Sequence, residues 1–185
     1  MKLKGGRLQL IPIQEKDLEK VRQWRNDNKD AFFDSSEISP EAQAKWWKKY
    51  SSLPPGTDTI FIAKNIFSGE DVGMISLYDI NIDTRTAYVG RVLIIPKHRG
   101  HNYGQEMVDL VRDFAFETIR LHKLIVETDL LNTKAQTIYH VSGFLTIGQR
   151  FMQITSYLFR IIVIMEMTNP SHDIKRPVRL VEVEE

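Results

Sequence analysis

Hydrophobic positions recur along this chain with two periods, and the switches between them outline its elements. Leu8, Leu10 and Pro12 alternate with Arg7 and Gln9, so residues 7–13 read as a first strand. Leu18, Val21 and Trp24 then fall on one face of a helix over 14–28. The loop Ser35-Ser36-Glu37 leads to Ser39-Pro40-Glu41, a cap, a proline at the first helical position and an acid. That second helix carries Trp46 and Trp47 to about Tyr50 and ends before the break Leu53-Pro54-Pro55-Gly56. Neighbouring tryptophans sit about 100° apart on a helix, so both cannot face one core; one of them, Trp46, is a candidate groove wall. Two strands follow, Thr59 to Lys64 and Val72 to Tyr78, joined as a hairpin by the turn Ser68-Gly69-Glu70.

The chain is organised around what comes next. Thr86 to Ile95 is a central strand whose last part, Val92-Leu93-Ile94-Ile95, is β-branched and apolar and reads as buried. Pro96 ends it, and a short basic turn containing Gly100 and Gly104 runs directly into a helical pattern of Met107, Val108, Val111, Phe114 and Ala115. Asn102 is placed to cap that helix, with Gln105 as capping-box partner. Strand, glycine turn and helix N-terminus form the local geometry of an anion site, because unpaired N–H groups and the helix dipole point the same way. A βα turn with solvated basic residues has the same sequence. Lys123 to Thr128 is a further strand, and Asn132 to Val141 a helix capped by Asn132, with Gly143 just past its end. Phe144 to Ile154 and Ser156 to Met167 read as a closing hairpin. Residues 169–185 read as a tail with a short edge strand at Val178 to Val183.

The order β-α-α-β-β-β-α-β-α-β-β predicts an α/β fold in one domain over 1–168. Its sheet is mixed, mostly antiparallel and twisted, with a central parallel β-α-β pair and flanking helices. Composition narrows the function classes. A net charge of +1 gives no electrostatic case for nucleic acid or an anionic membrane. The absence of cysteine removes a thiol nucleophile, a thiolate metal site and a disulfide framework, and fits a cytoplasmic protein. No apolar run approaches the length of a membrane span. His98 and His101 flank the basic turn without a third ligand, so no metal is expected.

Two pieces together resemble the GNAT superfamily of acyl-CoA-dependent N-acetyltransferases. The first is Val92-Leu93-Ile94-Ile95-Pro96 followed by Arg99-Gly100-His101-Asn102-Tyr103-Gly104 entering a helix. The second is Glu127, then Asn132, then Tyr139, then Gly143-Phe144. The likeness spans about residues 5–168. One position departs from the family's pattern: Asn102 stands where a central glycine is usual, and its side chain adds bulk beside the expected pyrophosphate.

The resemblance implies acetyl-CoA as co-substrate. Backbone groups of Val92, Leu93 and Ile94 would pair with the pantetheine arm as an added strand. The turn of Arg99, Gly100, His101, Asn102, Tyr103, Gly104 and Gln105 would hold the pyrophosphate, and the Asn132 amide would reach the cofactor. Acetyl transfer to an amine needs an oxyanion donor, an acid and a base. A backbone N–H near Leu93 or Ile94 is the expected donor. Tyr139, seven residues after Asn132 and so on its helix face, is the candidate acid. Glu127, whose neighbours Ile125 and Val126 are apolar, is the candidate base, directly or through water, with Asp129 as rival. Arg25 and Trp46 belong to the region expected to wall the acceptor. The sequence leaves an amino sugar, a polyamine or a peptide N-terminus open as that acceptor, and a homodimer as an open alternative. A second reading is a catalytically inactive module that binds acyl-CoA or regulates.

Overall fold

The computed structural model describes residues 1–170. The edge strand expected at Val178 to Val183 lies outside the described residues. Strands β1 (Leu3–Lys4) and β2 (Leu8–Pro12) precede α1 (Leu18–Asp27) and α2 (Pro40–Ser51). Then come β3 (Asp58–Asn65), β4 (Asp71–Asn81), β5 (Thr86–Ile94), α3 (Tyr103–Asp113), β6 (Lys123–Asp129), α4 (Thr133–Val141), β7 (Leu145–Gln153) and β8 (Phe159–Thr168). The strands form one sheet in the order β1-β2-β3-β4-β5-β6-β8-β7. Every neighbouring pair is antiparallel except β5 with β6.

Alternation decides which core each strand residue joins. Ile60 and Ile62 of β3 pack with Met74 and Leu93 under α1 and α2, beside Trp24, Trp46, Trp47 and Tyr50. Phe61 and Ala63 point the other way, into the larger core with Met107, Val111 and Phe114 of the α3 region. A strand buried on both faces reads as a continuous apolar run, which is why 60–63 shows no polar break. The Phe61 and Phe114 rings meet edge to face with their centres 6.3 Å apart. α3 is prolonged by a wider π turn over Phe114–Thr118. Glu106 of α3 anchors the N-terminal strands: its carboxylate accepts the N–H groups of Arg7 and Leu8 at 2.7 and 3.0 Å and pairs with Arg7 Nε at 2.9 Å.

α2 begins as its sequence predicts. Ser39 Oγ accepts the Ala42 N–H at 3.2 Å and donates to Glu41, with Pro40 opening the helix. Ser39→Ala removes this cap and is expected to cost about 1 kcal/mol. Thermal unfolding checks it, as a fall of roughly 2–4 °C for a chain of this size.

The same reading fails at α3. Asn102 precedes the helix but sits in the left-handed region (φ 59°, ψ 20°), and its side chain makes no capping hydrogen bond. The expected capping box with Gln105 therefore does not form. Gln105 Nε2 instead donates to Asp109 and to Ser142 Oγ, tying α3 to the end of α4.

Two irregularities of β5 make the site. Ile75 of β4 faces both Arg91 and Val92, because the register slips between Met74/Leu93 and Ser76/Gly90. Arg91 carries the extra turn of this bulge at φ 52°. On its other side β5 pairs with β6 only at Thr86↔Lys123, Ala87↔Leu124 and Tyr88↔Ile125. Beyond Tyr88 the parallel pair parts, while β6 stays paired with β8 as far as Asp129↔Ile162. The sheet is thus split along half of β5.

Candidate active site

The split opens into a cleft of about 1680 Å³. Typical ligand pockets run to about 1,000 Å³, so this one has room for two ligands meeting end to end. One wall is the unpartnered edge of β5, Val92, Leu93 and Ile94; the opposite wall is Glu127, Thr128 and Asp129 of β6. The turn before α3 closes one end and the first turns of α4 form the floor with Asn132, Ala135 and Tyr139. The other end is walled by Arg25, Phe32, Tyr78 and Arg91.

The turn before α3 leaves a row of backbone N–H groups unbonded among the described residues. Gly100 (φ 83°) and Asn102 are both left-handed, one residue apart. The N–H groups from Gly100 through Gln105 find no hydrogen-bond acceptor among the described residues, and the first helical bond back to the turn is Glu106 N–H to the Asn102 carbonyl. Successive free N–H groups at a helix start form a concave nest for phosphate. Asn102 thus adopts the backbone shape that a glycine would supply, as asparagine does more readily than most residues. Gly104 is buried, and a Cβ there would come within 2.9 Å of Ile138 Cδ1, so glycine lets α3 sit close to α4. A nest beside an open strand edge fits a pyrophosphate followed by an extended amide-bearing arm.

Two turn residues have other duties. Arg99 does not reach into the nest with a free guanidinium: its Nε donates to the Ile94 carbonyl at 3.2 Å and its Nη2 to Asn28 Oδ1 at 2.6 Å. It latches the turn to the end of α1. His101 stacks on Tyr103 with ring centres 5.6 Å apart and does not line the cleft.

Tyr139 is buried, at 5% exposure, yet reaches the cleft floor. Burial, and to a lesser degree the neighbouring Tyr78, pushes its phenol pKa far up, so it holds its proton at any working pH. Its ring meets that of Phe144 edge to face, centres 5.9 Å apart. Asn132 caps α4 by accepting the Ala135 N–H at 3.1 Å, which leaves its amide NH₂ for a ligand.

Glu127 projects from the opposite wall, but its surroundings are not the apolar ones its neighbours suggested. Strand alternation turns Val126 into the core and leaves Glu127 beside Arg150, which reaches it across β8 at 2.6 Å (Nη2–Oε2) and 3.3 Å (Nε–Oε1). Asp129 is engaged more loosely, 3.6 Å from Arg160 Nε.

Trp46 lies away from the cleft. It stacks on Tyr50 at 5.0 Å, inside the core between the sheet and the helices α1 and α2. Sequence reasoning missed Tyr78 and Arg91. The Arg91 guanidinium covers the Tyr78 ring at 4.6 Å and pairs with Asp58 at 2.8 Å. The available signal was a glycine and a charge, Gly90-Arg91, interrupting an apolar strand, which marks a bulge. Among the described residues no group of three or more histidines or acids is placed to hold a metal.

Comparison with known proteins adds to this geometry. The acetyltransferase (GNAT) domain family matches residues 7–145. Spermidine N(1)-acetyltransferase of Vibrio cholerae is 29% identical over 77 residues, which is 42% of this chain and 44% of that protein. The Escherichia coli K12 enzyme of the same name is 32% identical over 81 residues, 44% of this chain and 43% of that protein. The chain thus matches less than half the length of these curated relatives. The Vibrio cholerae spermidine N-acetyltransferase structure with CoA and spermine superposes with a TM-score of 0.79. That match has 19% identity and covers 89% of this chain and 97% of that one, a likeness of fold.

Proposed function

The chain belongs to the GNAT acetyltransferase family, and from that premise we propose that it moves an acetyl group from acetyl-CoA to a primary amine within the split of the sheet. One observation carries the reading: the open edge of β5, the N–H nest at Gly100–Gln105 and buried Tyr139 all face one cleft. Bound acetyl-CoA supplies the acetyl group as an activated thioester.

The residues divide the remaining work. The nest neutralises the pyrophosphate, and the Asn132 amide steadies the arm beside it. Backbone N–H donors near Leu93 and Ile94 receive the carbonyl oxygen as it gains charge. As nitrogen bonds to the acetyl carbon and the carbon–sulfur bond breaks, Tyr139 Oη donates a hydrogen bond to the sulfur, which leaves as the CoA thiolate. The excess proton on nitrogen passes through water to Glu127, each of whose oxygens keeps a lone pair beyond its contact with Arg150. Because burial makes Tyr139 a weaker acid, its main contribution is a hydrogen bond that strengthens as the thiolate forms.

Release of CoA thiol from acetyl-CoA, measured over polyamines, amino sugars and peptides, tests the reading. The spermidine acetyltransferases place polyamines first in that panel. Turnover on at least one amine is expected, and CoA is expected to raise the unfolding temperature. CoA stabilisation without turnover on any amine would favour a binding module instead. Glu127→Gln is expected to lower kcat about a hundredfold, the low end of what a positioned base contributes, with KM for acetyl-CoA little changed. Steady-state kinetics at two pH values checks this. An unchanged kcat would leave Glu127 as the ion-pair partner of Arg150 alone.

A further inference from the structure

At the end of the cleft walled by Tyr78 and Arg91, Arg25 is a cation without an ion-pair partner among the described residues. Arg25, on α1, lies flat on Phe32, with its guanidinium carbon 3.5 Å from the ring centre. Among the described residues none of its N–H donors meets an acceptor and no carboxylate lies within ion-pair distance of it. The other arginines lining the cleft are all engaged. Arg91 pairs with Asp58, Arg160 with Asp129 and the Phe32 carbonyl, and Arg99 with Asn28 and the Ile94 carbonyl. Lys134 sits exposed on the rim.

Burial pushes the Arg25 pKa down from its ordinary value, Asp34 pulls it back up, and Arg91 presses it down again. Asp34 is exposed and receives the Ser36 N–H at 2.9 Å, so it does not quench the guanidinium directly. The loop that carries Phe32 and Asp34 is held in place nearby. Asn26 bonds Ile38 in both directions, at 2.8 and 3.0 Å, and Arg22 adds a third bond to the same carbonyl. The stack of Arg25 on Phe32 is therefore positioned by a firm frame. A half-desolvated guanidinium with unmet donors attracts a planar or tetrahedral anion.

We infer that the amine acceptor carries an anionic group, a phosphate or a carboxylate, which docks on Arg25 while the amine points toward Tyr139 and Glu127. This rests on the acetyl-transfer reading and adds a substrate class that sets this chain apart from a polyamine enzyme. Arg25 is a specificity-determining residue in this account.

The test compares matched acceptors: glucosamine with glucosamine 6-phosphate, 3-aminopropanol with β-alanine, and spermidine as the polycation. Wild type is expected to favour the anionic member of at least one pair, and which pair responds identifies phosphate or carboxylate. Arg25→Gln is expected to lose about 10- to 100-fold in kcat/KM on that anionic acceptor, the range of a charge-assisted hydrogen bond, mostly through KM and with the neutral partner unaffected. Arg25→Lys should fall between, and CoA binding should be equal in all three proteins, which shows they are folded. Preference for spermidine or a neutral amine, with Arg25→Gln equal or better, would overturn the inference and leave acetyl transfer intact. Calorimetric titration of CoA-loaded protein with glucosamine 6-phosphate and with β-alanine reads the site without turnover. Binding of either by wild type but not Arg25→Gln, with no acetylation, would keep the anion site and sink the transferase; binding of neither, or equal binding by both proteins, would sink the anion site.

Discussion

Replacing Tyr139 by phenylalanine should lower kcat by about 10²–10³-fold while leaving the affinity for CoA nearly as it was. The ring stays in its place against Phe144, so the cleft keeps its shape; what is lost is the Tyr139 O–H at its floor. The leaving thiolate then departs without a donor. The pH profile sharpens the test. A phenol whose pKa is raised by burial stays protonated through and beyond its ordinary titration range near 10. No fall in wild-type activity on the alkaline side below about pH 10 should therefore trace to Tyr139. Any bell-shaped limb seen there belongs to another group and should persist in Tyr139→Phe. Steady-state kinetics from neutral to mildly alkaline pH, with both proteins, reads both points.

Gly73→Ala should cost at least about 3 kcal/mol, more than ordinary overpacking, because the obstacle is backbone. A Cβ at Gly73 would overlap the Leu93 carbonyl oxygen and press on Ile94 Cα at 3.2 Å. Neither can retreat: Leu93 is paired with Met74, and the bulge at Arg91 fixes the strand just before it. The residues displaced are the ones proposed to receive the acyl carbonyl. Thermal unfolding should show a loss of roughly 6–12 °C. CoA should restore less stability to the variant than to wild type, because its site is distorted along with the fold.

The sequence made the order of elements legible because most of them carry a local signal. α2 starts at Ser39-Pro40 and α4 at Asn132 with side-chain caps in place, and Gly143 takes the positive φ expected past the end of α4. β1 escaped because two residues, Leu3 and Lys4, are too few to show a period. At Asn102 the substitution itself was legible, but its consequence was not. Its left-handed φ preserves the anion nest and at the same time withdraws its side chain from the cap.

Side-chain contacts between distant elements were not legible. Arg99 meets Asn28, and Glu127 meets Arg150 only because β8 lies between β6 and β7 with a particular register. The split between β5 and β6 is of the same kind. Pairing stops after Tyr88, and nothing in the residues that follow says so except the awkward Gly90-Arg91 step. Trp46 shows the opposite error: an aromatic on a helix edge suggested a ligand wall, and packing against Tyr50 explains it fully.

The central claim is that the split sheet is an acetyl-transfer site, and acetyl label decides it most directly. Protein incubated with acetyl-labelled acetyl-CoA and the amine panel, followed by mass spectrometry of the amines, should show label on the nitrogen of one acceptor class. The signal should fall with Tyr139→Phe although CoA binding persists. Label on no amine, with wild type folded and CoA bound, would contradict the account and leave the cleft as a binding site.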